Sequence, residues 1–290
     1  MSKKYQSDKE QVDTAWNQLE PLLEDHNIVQ GNPAFRRRLM AAAAILLFLT
    51  MGGAIFLNNY FKKITYTTQY GQTQKVILPD SSEVILNGNS KLSFRKNWFG
   101  SGNRAVIIEG EAYFSIRHTK TDQKFFVRTD DHASVEVLGT EFNVFTRGME
   151  TKVVLNSGKI RFTPDDDNEK KDKSFIMKPG DLIEYKSNTK MLTRKIVNPK
   201  VHSSWKTSRL VFEKTSLRDI AQIIKDTYGL NVKIQDPELL NMKVSGSAPT
   251  QNIGMLIEAL SEIFNLDLIK KGDTLIISSH TAIINLTPIK

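Results

Sequence analysis

Leu39 to Leu57 reads LMAAAAILLFLTMGGAIFL, a run of about 19 residues without a charge. As a helix rising 1.5 Å per residue it measures about 28 Å, close to the roughly 30 Å hydrocarbon core of a bilayer. Gly52 and Gly53 are costly inside an aqueous helix and common inside a membrane one. A soluble amphipathic helix keeps a polar face, and this stretch has none. A cleaved signal peptide begins with a short basic leader, whereas about 38 residues come first here. The expectation is a retained single span.

The flanks give that span a direction. Arg36, Arg37 and Arg38 abut one end, and Lys62 and Lys63 lie just past the other. The excess on the first side places the N-terminus in the cytoplasm by the positive-inside rule, with those three arginines as topology determinants. Residues 1–38 are thus read as a short cytoplasmic segment, 39–60 as the transmembrane helix, and the remainder as extracytoplasmic.

Composition narrows the class of the protein. Of 290 residues, 40% are hydrophobic, enough for a sizeable core and too many for a disordered chain. With 0 cysteines, thiol catalysis, disulfides and cysteine-ligated zinc are excluded. The net charge of +8 is spread along the chain, and no basic stripe interleaves with aromatics, so direct nucleic-acid binding is not expected.

In the cytoplasmic segment Val12, Ala15, Trp16, Leu19 and Leu23 recur near helical spacing, until Pro21 interrupts the helix and Gly31-Asn32-Pro33 ends it. So short a helix is marginal in water. Either its stripe of Val12, Trp16, Leu19 and Leu23 meets a partner, or the segment is a plain juxtamembrane tail.

From Ile64 to about Val197 the apolar period is two. Val76 and Leu78, Val84 and Leu86, Leu92 and Phe94, Val106 and Ile108, Val135 and Val137, Val153 and Leu155, and Ile160 and Phe162 each alternate with polar neighbours. Turn signals fall at Pro79-Asp80-Ser81, Asn87-Gly88, Asn156-Ser157-Gly158 and Pro179-Gly180-Asp181. Residues 64–200 are therefore expected to form a mainly β sandwich, barrel or short solenoid. Asp165 to Lys173, DDDNEKKDK, reads as a solvated hairpin loop.

Beyond Leu210 the period changes. Leu210–Phe212 is a short strand, and Ser216 caps a helix with Asp219 three residues on as an acidic variant of the capping box. Leu217, Ile220, Ile223, Ile224 and Tyr228 share a face, and Gly229 ends that helix. Strands come next at Asn231–Ile234 and Met242–Ser247. A second helix carries Ile253, Leu256, Ile257, Leu260, Ile263 and Phe264, and a hairpin turns at Gly272-Asp273. Residues 205–280 are expected to form a small α+β domain of order βαββαββ, with sheet edges open to an added strand, and then a tail at 281–290.

No catalytic constellation stands out. His26, His118, His132, His202 and His280 are scattered, without metal-ligand spacing. Neither a Gly-x-Ser-x-Gly elbow nor a phosphate-binding glycine loop occurs. Glu109 and Glu111 flank Gly110, where a bend between strands is expected rather than an acid–base pair. No cofactor, no metal site and no ordinary enzymatic activity are expected.

The chain carries, in this order, VILPDSSEVILN at 76–87, EGEAYFSI at 109–116, LGTEFNV at 138–144, MKPGDLIEY at 177–185 and WKTSRLVF at 205–212. On these residues the β-rich region resembles the periplasmic part of FecR-type anti-sigma factors, transmembrane signal transducers. The C-terminal region is similar to the secretin/TonB short N-terminal domain. The resemblance implies a relay across the bacterial inner membrane. Outside, the signalling domain of a TonB-dependent outer-membrane transducer, typical of iron or glycan uptake, would be the partner. Inside, the partner would be an extracytoplasmic-function sigma factor. The 38 or so cytoplasmic residues are fewer than the family usually carries, which favours the alternative of an envelope binding or scaffold protein without a transcriptional role. The resemblance also implies a single-turnover self-cleavage of some members, at the bond matching Gly139-Thr140. There the Thr140 hydroxyl would attack the Gly139 carbonyl, helped by backbone strain at a tight turn.

Overall fold

The computed structural model describes residues 12–20, 33–60, 62–95, 104–164, 174–250 and 252–280, with the side chains of 33 and 55–60 excepted. Leu23, His26, the charged run 165–173 and the tail 281–290 lie outside the described residues. The chain divides into two units, Met1–Tyr60 and Phe61–Lys290.

The first unit holds two helices among the described residues. Helix α1 spans 12–20, and helix α2 runs for 28 residues, Pro33–Tyr60. The latter starts earlier than the apolar run because Pro33 suits a first helical position and Arg36–Arg38 are good helix formers. Its segment Ala34–Ala54 is long and apolar enough to cross a membrane, and none of it is buried against protein.

In the second unit period-two alternation becomes strands. They are β1 (Lys63–Thr68), β2 (Gln74–Ile77), β3 (Glu83–Leu86), β4 (Ser90–Arg95), β5 (Arg104–Ser115), β6 (Phe125–Thr129) and β7 (Ser134–Val137). After them come β8 (Glu141–Arg147), β9 (Glu150–Ser157), β10 (Ile160–Thr163), β11 (Phe175–Met177), β12 (Asp181–Lys186) and β13 (Met191–Ile196). They pair in two arrays that share the long β5. One runs β1-β4-β5-β6-β7-β10-β11 and the other β2-β3-β5-β8-β9-β12-β13. Strand β5 changes array at Gly110: Lys91 opposes Glu109 on one side of it, and Thr146 opposes Gly110 on the other. The pairings within both arrays are antiparallel except β5 with β6.

The apolar member of each alternating pair faces one core, where Val84, Leu86, Leu92, Ile108, Phe114, Val127, Phe142, Leu155 and Phe162 are fully buried. The two arrays meet across it: Phe162 of β10 touches Tyr185 of β12 edge-on, ring centroids 6.2 Å apart. This is a sandwich with a common strand. At roughly 25 cal/mol per Å² of apolar surface, burial of such side chains is the main term holding it together.

A short helix α3 (Pro199–His202) and a 3-10 turn at Ser204–Thr207 lead to β14 (Arg209–Ser216), α4 (Leu217–Tyr228) and β15 (Asn231–Ile234). The chain continues through β16 (Lys243–Pro249), α5 (Ile253–Phe264), β17 (Leu266–Lys271) and β18 (Thr274–Ser279). The order βαββαββ is the one the pattern predicts, but the strands form two small sheets, β14-β16 and β15-β18-β17. A second core built on Phe212, Ile220, Ile224, Leu256, Leu260, Phe264, Leu275 and Ile277 joins sheets and helices. Ser216 caps α4 as its sequence promises: its Oγ accepts from the Asp219 N–H at 3.2 Å and donates to the Asp219 carboxylate at 2.6 Å.

Candidate functional site

Gly139 and Thr140 lie in the three-residue connection from β7 to β8. Thr140 is buried, and its backbone is held on both sides by Ile116, just past β5. Thr140 N–H donates to the Ile116 carbonyl at 3.2 Å, and Ile116 N–H donates back to the Thr140 carbonyl at 3.0 Å. The Thr140 Oγ1 donates to the Lys159 carbonyl at 3.1 Å. Gly139 packs against the backbone of His118, whose exposed ring sits 2.5 Å from Asp122 through Nε2. Among the described residues Gly139 is not one of the glycines with a left-handed φ, so the strain expected of a tight turn is not stored there. The segment instead borders a surface cleft lined by His118, Glu136, Leu138, Lys159, Arg161 and Ile176.

One residue earlier, the chain is fixed by Arg104, which no sequence pattern singles out. Its side chain is 1% exposed, yet it carries a charge. Nη1 donates to Asp80 at 2.5 Å and to the Arg117 carbonyl at 3.0 Å. Nη2 donates to the carbonyls of Gln123 at 2.5 Å and Leu138 at 3.2 Å. The guanidinium stands 5.4 Å from the Phe125 ring centroid, a favourable cation–π placement. A planar fork can tie four separate segments in this way, whereas an ammonium cannot.

Glu109 and Glu111 go to different partners. Glu109 meets Lys91 at 2.8 Å on the surface, while the Glu111 carboxylate accepts from Asn87 at 2.7 Å and Asn143 at 2.8 Å. Burial pushes the Glu111 carboxyl above its usual range, against the pull of the two amides, of Arg147 and of the Trp205 indole. They do not form an acid–base pair. Among the described residues, no group of three or more acidic or histidine side chains could hold a metal ion.

On the N-terminal side, Val12, Trp16 and Leu19 lie on α1 and are all exposed, 64% for Trp16. Spaced at i, i+4 and i+7 they share one helix face, as the periodicity requires. Arg36, Arg37 and Arg38 lie in the first turns of α2 and are exposed.

Comparison with known proteins places these elements. Residues 64–161 match the family model described as FecR protein, and residues 209–277 match the one described as FecR, C-terminal. No curated protein sequence matches the chain. Two crystal structures of a candidate anti-sigma factor from Parabacteroides distasonis ATCC 8503, at 2.50 Å and 1.65 Å resolution, share the fold. Each superposes with a TM-score of 0.61, at 19% and 20% identity, over 75% and 74% of this chain and 99% of that one. With both family regions present in order and together spanning more than half its length, the chain belongs to the FecR family.

Proposed function

We propose that this protein is a single-pass inner-membrane regulator that relays a periplasmic signal to an extracytoplasmic-function sigma factor. In this reading α2 spans the bilayer with Arg36–Arg38 on the cytoplasmic side. The β sandwich and the α+β domain lie in the periplasm, where they receive the signalling domain of a TonB-dependent transducer. The exposed face of Val12, Trp16 and Leu19 is the cytoplasmic contact. The observation that carries the reading is the order of parts: one unburied apolar helix of membrane length, then FecR, then the FecR C-terminal region. An apolar helix with no protein against it is satisfied only by lipid. The test is affinity purification of the full chain from detergent-solubilised membranes. Recovery of a sigma factor supports the relay. Its reproducible absence, with a transducer still bound, favours an envelope scaffold instead.

Self-cleavage between Gly139 and Thr140 is the second element of the proposal. The Thr140 Oγ1 attacks the Gly139 carbonyl carbon, the C–N bond breaks, and the hydroxyl proton ends on the freed Thr140 nitrogen. The resulting ester is hydrolysed by water, giving a Gly139 carboxylate and a new N-terminal Thr140 with its hydroxyl restored. The support is positional: Leu138 and Thr140 are both anchored by backbone hydrogen bonds, so the bond between them is held in one place. A denaturing gel with N-terminal sequencing tests it, through a fragment that starts at Thr140.

A further inference from the structure

The last carbonyls of a helix have no partner within it. At the end of α4 the Thr227 carbonyl finds one in the other half of the unit, accepting the Gly71 N–H at 2.7 Å. Gly71 is the third residue of a turn closed by Gln72 N–H donating to the Gln69 carbonyl at 3.1 Å. Its φ of +70° is what that turn type demands at that place. Gly88, in the β3–β4 turn, closes the joint from the far side. A Cβ there would stand 2.5 Å from the Thr227 oxygen and 2.9 Å from the Gly71 nitrogen. The Tyr70 ring covers Gly229, which ends α4, and the Tyr228 ring lies beside Gly71.

The sandwich side of this joint is stiff. Thr68 Oγ1 donates to the Asn87 carbonyl at 2.6 Å and accepts from Ser90 N–H at 3.0 Å, and Asn89 N–H donates to the Gln69 carbonyl at 3.0 Å. Arg147 reaches over from β8 to the carbonyls of Gly88 and Asn89, both at 2.8 Å. The strand entering the joint is not stiff. β1 is an edge strand paired with β4 alone; Lys63, Thr65 and Thr67 are exposed, and Ile64 and Tyr66 only partly buried. It is clamped at Thr68 and loosely held at Lys63, the end that continues from α2 in sequence.

We propose that this joint is a mechanical coupling: a displacement of α4 opens the β1–β4 pairing, and so reaches the strand next in sequence to the membrane-length helix. Relative compliance decides where the motion goes. Backbone contacts at Gly71 and Gly88 leave no slack to absorb a shift of Thr227, and the turns behind them are cross-tied. Strands β1 and β2 both adjoin the turn and each pairs with a single strand, but β2 is anchored by the buried Val76 whereas β1 buries only Thr68, at the clamp itself. A displacement therefore goes to β1, because edge strands with little buried surface open at the lowest free energy. The coupling deepens the relay proposed above but is a property of this chain alone, so it stands or falls without any partner present.

The test is amide hydrogen exchange on the full-length protein in detergent micelles. Gly88→Ala pushes the Thr227 carbonyl away, and Tyr70→Ala removes the ring from Gly229 without adding bulk. At least tenfold faster exchange in β1 is expected in both variants, with β8 and β9 unchanged. If Gly88→Ala does not fold, Tyr70→Ala carries the same expectation. Unchanged β1 exchange in a folded variant, or equal acceleration throughout the sandwich, overturns the proposal. Coupling is also reciprocal. The chain has no cysteine, so Thr65→Cys with Ser93→Cys, at directly opposed positions, makes an unambiguous staple of β1 to β4. Oxidising that pair is expected to slow exchange of the Gly71 and Gly229 amides severalfold, and identical rates in the oxidised and reduced forms overturn the coupling.

Discussion

The Arg104 guanidinium donates to the Leu138 carbonyl past the intervening strand β6, 3.2 Å away and 34 residues along the chain. The same side chain binds Asp80, Arg117 and Gln123, so one buried cation holds together the β2–β3 turn, the ends of β5 and the approach to Gly139. Removing one member of a buried, hydrogen-bonded ion pair costs about 3–5 kcal/mol, because the partner charge is left without compensation. Arg104→Ala is expected to lose stability in that range in chemical denaturation of the full chain. Arg104→Lys should recover only a minor part of it, since an ammonium cannot reach four acceptors at once.

Burial raises the Glu111 pKa in the folded protein above the 4.5 of an exposed glutamate. The folded state then binds the proton at higher pH than the unfolded chain does. This contribution to stability is fully present below pH 4.5 and is lost as pH rises through the folded value. Glu111→Gln should therefore be more stable than wild type at neutral pH, with the difference shrinking as pH falls toward 4.5. The amide can be accommodated: Asn87 still donates to it, and Asn143, whose buried Oδ1 has no partner, can turn to accept from it. Glu111→Ala leaves both amide donors unmet and is expected to cost about 1–3 kcal/mol. Thermal melts across pH 4 to 8 check both signs.

What the sequence makes legible here is local. Val84 and Leu86, or Val153 and Leu155, alternate because one face of each strand is buried, and Ser216 with Asp219 marks the first turn of a helix. Arg104 is illegible because a basic residue beside a polar loop reads as solvated; its four partners come from segments distant in sequence. For β5 the sequence marks a bend at Gly110 but not the exchange between two arrays that happens there, and Gly88 is illegible because its role depends on a helix end well over a hundred residues away. Gly139 and Thr140 entered through family resemblance, and the structure adds what surrounds them.

One of those surroundings is Gly158, at the β9–β10 turn with a φ of +91°. A Cβ there would lie 2.8 Å from the Gly139 oxygen and 2.9 Å from the Thr140 Oγ1, so the turn closes on the carbonyl group and the hydroxyl of the proposed self-cleavage. Gly158→Ala should shift the hydroxyl relative to the carbonyl and slow the appearance of the Thr140 fragment at least tenfold. The stability cost comes from the positive φ together with the approach to the Gly139 oxygen, and is expected to exceed about 1 kcal/mol. Neutral hydroxylamine separates position from stability, since it cleaves an ester far faster than a peptide bond, and a fragment starting at Thr140 is distinct from any cut at Asn87-Gly88. Lower hydroxylamine-released fragment from folded Gly158→Ala indicates impaired acyl transfer, whereas an equal yield removes Gly158 from the reaction.

The α1 face of Val12, Trp16 and Leu19 yields the prediction closest to the proposed output. A large aromatic ring left 64% exposed has most of its apolar surface still to bury, and truncated tryptophans at interface centres typically cost about 2 kcal/mol or more, near thirtyfold in affinity. Trp16→Ala in the full chain should weaken sigma-factor binding by that order, and Leu19→Ala by less. Gln18→Ala, on the opposite side of the helix, should leave it unchanged. None of the three should alter the melting of the unit Phe61–Lys290, whose cores contain no residue of α1. Titration of the sigma factor into micelle-bound protein reads the affinities. Equal binding by all three variants would move the proposed sigma-factor contact off this face, because a helix that docks through its apolar stripe cannot lose the centre of that stripe without loss of affinity.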